Sequence, residues 1–266
     1  MNPVMPYIAY IVTYVMAILN LIGLIVGTRF TASSPVIQRA LDLGLLVGLL
    51  AIFLLRSYEA EYFALTNMFE SVMAVNFALV LSRLLLDPTI KVPVFHVSAM
   101  ALVVLGFVFS GVLPQSIAPL PPALMSYWRA IHVPVILWSY ALMFLASIGG
   151  GLLLMNPKSP DRDAIQGVTD KAVTLAVPLL AIGTALGAVW ANEAWGTYWN
   201  WDPKENMALA SLFVYGAYLH LRLNTDVPAE KLAWLLIIGF AVLMLTYIGI
   251  NLLGVGLHSY GNFMMN

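Results

Sequence analysis

Read for apolar and polar positions, the chain is a series of long apolar runs separated by short polar breaks. The runs cover about 6–26, 40–55, 67–86, 92–112, 130–155, 171–189, 203–223 and 233–253. They are about twenty residues long and do not alternate, so each is read as a membrane-crossing helix rather than a barrel strand. The breaks carry the expected punctuation. Arg29, Ser33, Ser34, Pro35 and Arg39 follow the first run, and Asp87-Pro88 ends the third. Four prolines at 114, 119, 121 and 122 exclude a membrane helix between Leu113 and Arg129. Asn156–Asp170 reads as a polar loop, and Pro178 as a kink in the sixth helix. The fold class is all-α: a polytopic membrane protein of about eight transmembrane helices. It forms a single integral membrane domain over 1–266, without a soluble domain or an internal repeat.

Composition supports a lipid solvent. Hydrophobic residues make up 61% and charged residues only 9%, far from a soluble domain. Net charge is −1, which gives no electrostatic footprint for nucleic acid. The absence of cysteine excludes disulfide exchange and thiolate metal ligation by this chain. Met1–Pro6 has no Lys or Arg, unlike the start of a cleavable signal peptide. With eight crossings both termini share one side. Nine Lys and Arg (29, 39, 83, 91, 158, 162, 171, 222 and 231) then fall on one side, and three (56, 129 and 204) on the other. The first side is cytoplasmic or stromal by the positive-inside rule. The expected location is the bacterial inner membrane or the thylakoid membrane. Both termini and the loop between helices 6 and 7 then face the periplasm, extracytoplasmic space or lumen.

That loop, Trp190–Glu205, concentrates the unusual residues. It holds Trp190, Trp195, Trp199 and Trp201, with Tyr198, Glu193, Asp202, Lys204 and Glu205. An interfacial aromatic belt accounts for single tryptophans but not for a cluster. Two of the four histidines, His132 and His258, are expected on the same outer side as this loop. Two imidazoles beside a broad indole surface suit a flat aromatic ligand with a metal centre, namely haem. The alternative is interfacial histidines bonded to neighbours. His220 is expected eighteen residues beyond Asp202 on about the same helix face, near the inner end. It reads either as a point where a ligand from inside is first met, or as an interfacial residue beside Arg222. His96 has no evident companion and reads as a satisfied polar residue. Asp202-Pro203-Lys204-Glu205 fits a helix-capping box, which would explain both acids. Glu193 has no such explanation and is the better ligand-side candidate. Glu70, inside a membrane segment, is a functional candidate by default unless Asn67 or Ser71 satisfies it. Arg129 is the preferred outer cation for haem propionates, with Lys204 and Arg56 as others.

The run Trp195-Gly-Thr-Tyr-Trp199-Asn-Trp201-Asp202-Pro-Lys-Glu205 resembles the WWD signature of the haem-handling superfamily. With Val189-Trp190-Ala-Asn-Glu193 before it, it is most similar to the CcsA/ResC family of cytochrome c biogenesis system II. Leu65-Thr-Asn-Met-Phe-Glu70-Ser71, Tyr127-Trp128-Arg-Ala-Ile-His132, Ser139-Tyr140-Ala141 and Tyr218-Leu-His220-Leu-Arg222 agree with it. The resemblance spans roughly 65–260 and implies a role. Such proteins act with a CcsB/ResB membrane partner to carry haem b outward and present it to apocytochrome c at a CxxCH segment for thioether attachment. The resemblance assigns His132 and His258 as axial ligands to the haem iron and His220 to an earlier contact with haem. Trp190, Trp195, Trp199, Trp201, Glu193, Asp202 and Arg129 complete the expected cofactor-binding set. The activity expected is that of a holocytochrome c synthase component. Two alternatives stay open: a haem exporter or chaperone without synthase activity, and a structural subunit of a membrane electron-transfer complex.

Overall fold

The structure is a computed structural model that describes residues 4–30, 35–86 and 92–257. Among these residues every regular element is helical. The order is α1 (Val4–Phe30), α2 (Pro35–Ala60), α3 (Met68–Leu86), α4 (Pro93–Gly111), α5 (Tyr127–Met155), α6 (Arg162–Trp195), α7 (Pro203–Asn224), α8 (Ala229–Met244) and α9 (Ile250–Leu253). A short 3₁₀ turn at Pro122–Leu124 precedes α5. A π turn at Leu245–Gly249 joins α8 to α9. Seven of these helices, counting Ala229–Leu253 as one, are long and apolar enough to cross a bilayer. The protein is therefore a polytopic membrane protein, as its hydropathy predicts. The helix below that threshold is α7, which carries Lys204, Glu205, Asn206, His220 and Arg222.

The chain divides into two compact units, residues 1–118 and 119–266. In the first, α1 neighbours α2 and α4, and α3 neighbours the same two helices, which closes a four-helix ring. Its core is aromatic at one level. Tyr10 lies 5.7 Å from Phe69 and 5.6 Å from Phe107, ring centre to ring centre. Its hydroxyl donates to the Phe107 carbonyl at 2.7 Å. Two buried ion pairs cross this ring. Arg56 on α2 donates to Glu70 on α3 at 2.9 and 3.1 Å, and its guanidinium also lies 4.9 Å from the Phe69 ring. Arg83 on α3 pairs with Asp42 on α2. It also donates to Nδ1 of His96 on α4 at 3.2 Å, while Asn20 on α1 donates to Asp42 at 2.8 Å. Buried charges are tolerated in an apolar interior only when paired and hydrogen-bonded, and both pairs meet that condition.

In the second unit α5 neighbours α6 and α8, and α7 neighbours the same two. Small residues set the spacing. A Cβ built on Gly149 would overlap the Thr169 side chain of α6, and one on Gly150 would lie 3.0 Å from the Leu236 Cβ of α8. Adjacent glycines thus admit one neighbour on each side, the small-residue mode of membrane helix packing. At one end of this unit Asp170 accepts from Gln166 at 2.9 Å, Tyr218 at 2.7 Å and Arg222 at 3.0 Å.

Several sequence expectations are refined. The sixth helix is much longer than 171–189. It begins at Arg162 and takes in most of the expected polar loop. At 1.5 Å per residue it runs about 50 Å, beyond a hydrocarbon core of roughly 30 Å. Trp190 and Trp195 are therefore helical, and the connection to α7 shrinks to residues 196–202. The second helix likewise extends through Arg56 to Ala60. Arg83, expected in an inner loop, is buried within α3. Ser33, Ser34, Asp87, Pro88, Lys91 and His258 lie outside the described residues.

Candidate functional site

The second unit gathers the predicted residues at the end where α5 and α7 begin and α6 finishes. Helix α5 opens on Ser126, whose side chain accepts from the Trp128 amide at 3.1 Å and caps the helix. The same hydroxyl donates to Glu193 of α6 at 2.9 Å. Trp190, only 3% exposed, donates its indole N–H to the Ala123 carbonyl at 2.9 Å. The mouth of the unit is thus stitched to α6 by two long-range hydrogen bonds.

His132 lies one turn inside this mouth. Its Nδ1 is 2.7 Å from the Gly183 carbonyl. A carbonyl only accepts, so Nδ1 carries a proton, and in the neutral ring the imidazole lone pair then resides on Nε2. Such a back-hydrogen bond fixes the tautomer and orientation of metal-ligating histidines. The ring rests in a groove of α6. A Cβ at Gly187 would lie 2.7 Å from its Cε1 and 2.9 Å from Nδ1, and one at Gly183 would meet Ile136 at 3.0 Å. Gly183, Gly187 and Trp190 follow i, i+4, i+7 spacing, so they share one helix face. Trp190 continues the groove, 5.8 Å from the imidazole between ring centres. Trp195 lies 5.3 Å from Trp190. The result is a graded aromatic row, His132–Trp190–Trp195. The glycine spacing was readable in the sequence but carried no recognised motif.

Helix α6 stops at Gly196, whose φ of 78° and backbone N–H, donating to the Asn192 carbonyl at 2.9 Å, make a left-handed cap. Trp199 and Trp201 follow, edge to face at 5.9 Å. Trp201 is 69% exposed and has φ 55°, a conformation that an aromatic residue adopts at a cost. It is held there by Asn206, which donates to its carbonyl at 2.8 Å, and by the start of α7. That start is the capping box predicted from sequence. Asp202 Oδ1 accepts from the Lys204 amide at 3.0 Å. Glu205 Oε2 accepts from the Asp202 amide at 3.1 Å and the Asn200 amide at 2.8 Å. Both acids are buried and directed at the backbone.

The remaining candidates occupy distinct places. Arg129 is buried, and its Nε donates to the Leu124 carbonyl at 2.7 Å, which ties α5 to the 3₁₀ turn. Lys204 donates to Asn251 at 2.9 Å. Glu193 is exposed apart from its Ser126 contact. His220 does not join this group. Eighteen residues along α7 place it about 27 Å from Asp202, where its ring is exposed. In the first unit His96 has the companion that its sequence context concealed, Arg83 of α3. Glu70 is satisfied by Arg56 and by the Thr66 amide at 2.8 Å. Arg56, a third candidate cation, is thereby engaged. His258 lies outside the described residues; at the end of those described, the Leu257 amide donates to Asp202 Oδ2 at 2.6 Å.

Comparison with known proteins is consistent across sequence and fold. The profile described as Cytochrome C assembly protein matches residues 65–258. The chain is 37% identical to a protein named "Cytochrome c biogenesis protein CcsA" from Prochlorococcus marinus (strain NATL2A), over 79% of this chain and 80% of that one. The protein of the same name from Parasynechococcus marenigrum (strain WH8102) is 36% identical, over 79% and 81%. That from Guillardia theta is also 36% identical, over 77% and 79%. Among solved structures, one titled "Cytochrome c Heme Lyase CcmF" superposes with a TM-score of 0.69 over 93% of this chain and 47% of that chain. The identity is 16%, a likeness of fold.

Proposed function

The chain belongs to the cytochrome c assembly protein family, and on that premise we propose that it carries haem b across the membrane and presents it to apocytochrome c. Haem is the cargo. It is taken up from the inner side near His220 and passes to the outer end of the second unit. There His132 and His258 ligate the iron from opposite faces. Trp190, Trp195, Trp199 and Trp201 bear on the macrocycle edge, and Arg129 is the cation assigned to a propionate. The observation that carries the reading is His132 itself. Its Nδ1 proton is committed to the Gly183 carbonyl, its ring is beside Trp190, and it faces the end of the unit where the Trp-rich loop begins.

The attachment chemistry balances without an oxidant. Each thiol of a CxxCH segment adds across a haem vinyl group. The sulfur forms the new C–S bond, and the thiol proton ends on the other vinyl carbon. The protein contributes placement, which can replace a large part of an entropic barrier. The cytochrome's own histidine then replaces one axial ligand and releases the product. A CcsB/ResB-type membrane partner completes the assembly, and the positive-inside count supports an outward-facing loop.

The test is a visible spectrum of the purified protein with its partner. The expected result is a bis-histidine Soret and α-band pattern that both His132→Ala and His258→Ala abolish. Retention of the wild-type pattern in both variants would refute the ligand assignment. His220→Ala is expected to leave the outer site competent but poorly loaded. A second reading, haem export without synthase activity, draws support from the loop acids. Asp202 and Glu205 both point at backbone amides, so neither is poised as a proton donor. Reconstitution with haem and a CxxCH peptide, scored for covalent product, separates the two.

A further inference from the structure

Three arginines are buried among the described residues: Arg56, Arg83 and Arg129. In two of them the Nε–H is committed to a protein acceptor. Arg56 donates it to Glu70 at 3.1 Å, and Arg129 to the Leu124 carbonyl at 2.7 Å. Arg83 differs. Its terminal nitrogens serve Asp42 and His96, but its buried Nε meets no protein acceptor. Its side chain is 4% exposed against 7% for Arg56, so bulk solvent is no nearer. A guanidinium offers only donors and keeps its protons, and a buried donor left unmet costs the full desolvation of the group. The neighbours of the ion pair have the complementary need. Asn20, wholly buried, donates its amide N–H to Asp42 at 2.8 Å, while its Oδ1 accepts nothing. Turning that amide round would aim its oxygen at a carboxylate, so the orientation is fixed. One turn before Asp42 on the same face of α2, Gln38 has a buried Oε1 without a donor. Its amide lies against Gly23 of α1, where a Cβ would come within 3.0 Å of Nε2. Asn20 and Gly23 are themselves one turn apart on α1. One unmet donor and two unmet acceptors therefore gather around Asp42, toward the end of the first unit where α2 and α4 begin.

We propose that this cluster is a binding site for internal water, which accepts from Arg83 Nε and donates to the side-chain oxygens of Asn20 and Gln38. The chemistry selects the ligand. The charges of Asp42 and Arg83 cancel, so an ion would enter this apolar unit uncompensated. The three unmet atoms call for a neutral molecule that accepts one hydrogen bond and donates two. A buried water does this, with about three bonds to polar groups that otherwise lack partners. Its role is to complete the solvation of the ion pair, which holds in a low-dielectric interior only when the remaining protons and lone pairs are satisfied. The other pair of the same unit needs no such help. One oxygen of Glu70 accepts twice from Arg56, and the other accepts from the Thr66 amide and hydroxyl at 2.8 and 3.1 Å. Within one four-helix ring, the Arg56 pair is dry and the Arg83 pair is hydrated.

The test is water-edited solid-state NMR of the full chain, isotopically labelled at arginine, in bilayers of deuterated lipid. Magnetisation passes from water to each Nε–H, and the resonances are assigned from through-space contacts to neighbouring side chains. The chain supplies its own references. Arg222, whose side chain is 43% exposed, sets the wet limit. Arg56 and Arg129, with Nε committed to protein oxygens, set the dry one. The Arg83 signal is expected to build up about three times as fast as those of Arg56 and Arg129, close to the rate of Arg222. Asn20→Leu and Gln38→Leu each remove an acceptor for the water with a side chain of similar size. Both are expected to slow Arg83 toward Arg56 and to leave the other three arginines unchanged. A wild-type Arg83 rate as slow as those of Arg56 and Arg129 would overturn the proposal. So would a fast rate that neither leucine variant alters, since solvent would then reach the guanidinium by a route that does not involve these amides. Should a leucine variant not fold, the wild-type comparison of the four arginines decides the matter alone. Haem is not added, so the outcome is independent of the haem reading above.

Discussion

Replacing Gly187 by alanine tests the architecture around His132 with a single methyl group. In a helix interior this exchange ordinarily stabilises by about 0.5–1 kcal/mol, because alanine restricts the unfolded chain. At Gly187 the new Cβ would stand 2.7 Å from His132 Cε1, 2.9 Å from Nδ1 and 3.4 Å from Nε2. Ordinary carbon contacts begin near 3.5 Å, so the imidazole must retreat by several tenths of an ångström. It is held against retreat by its hydrogen bond to the Gly183 carbonyl at 2.7 Å. Overpacking of this kind costs about 1–3 kcal/mol, and a weakened hydrogen bond up to about 1 kcal/mol more. These losses exceed the helix gain, so Gly187→Ala is expected to destabilise by about 1–2 kcal/mol. Gly167 and Gly216 are the controls. Both are helical, and a Cβ at either meets no heavy atom within 4 Å. There the same exchange is expected to stabilise by about 0.5–1 kcal/mol. Chemical unfolding in detergent measures the sign, and haem titration measures the site. Loss of the imidazole's back-hydrogen bond is expected to weaken haem retention about 10- to 100-fold. Stabilisation of Gly187→Ala equal to that of Gly216→Ala, with wild-type haem retention, would refute the argument.

Three further outcomes are expected. Glu70→Ala leaves the Arg56 guanidinium buried without its counter-charge and is expected to cost about 3–5 kcal/mol, read as a fall in thermal midpoint. Trp201→Asn places a residue tolerant of positive φ where tryptophan is strained and exposed. The haem-free protein is expected to be as stable as wild type or more so, while haem dissociates faster in stopped-flow absorbance. Asp170→Ala removes the acceptor shared by Gln166, Tyr218 and Arg222. It is expected to lower stability by roughly 1–3 kcal/mol yet leave the spectrum of the protein with added haem unchanged, because its cluster lies at the opposite end of α6 and α7 from His132 and Asp202.

The helices were legible because hydropathy in a bilayer is nearly decisive, and the Asp202–Glu205 cap was legible because its four residues are contiguous. What the sequence concealed was long-range or polar. Gln166, Thr169 and Asp170 look like loop residues, yet they form part of α6, where buried Tyr218 and the Gly149 groove take them in. Arg83 counts as a loop charge until Asp42, forty-one residues away, is found beside it. His96 seemed solitary for the same reason. Gly183 and Gly187 were visible at helical spacing, but nothing short of the folded packing pairs them with His132. The Leu257 amide offered no signal at all, since backbone atoms are the same at every position.

The π turn at Leu245–Gly249 acts as a phase shifter. A turn that takes in one extra residue advances everything beyond it by about 100° relative to an unbroken α-helix. Before the turn, Leu236 and Leu243 point into the core. After it, Asn251 faces Lys204 and the Leu257 amide reaches Asp202. Without the extra residue the last helix would cross the bilayer equally well, but its end would arrive at the wrong azimuth. Hydropathy is indifferent to that angle, and these two hydrogen bonds are not. The widened turn gives an otherwise generic membrane rod a definite rotational setting where it meets the start of α7.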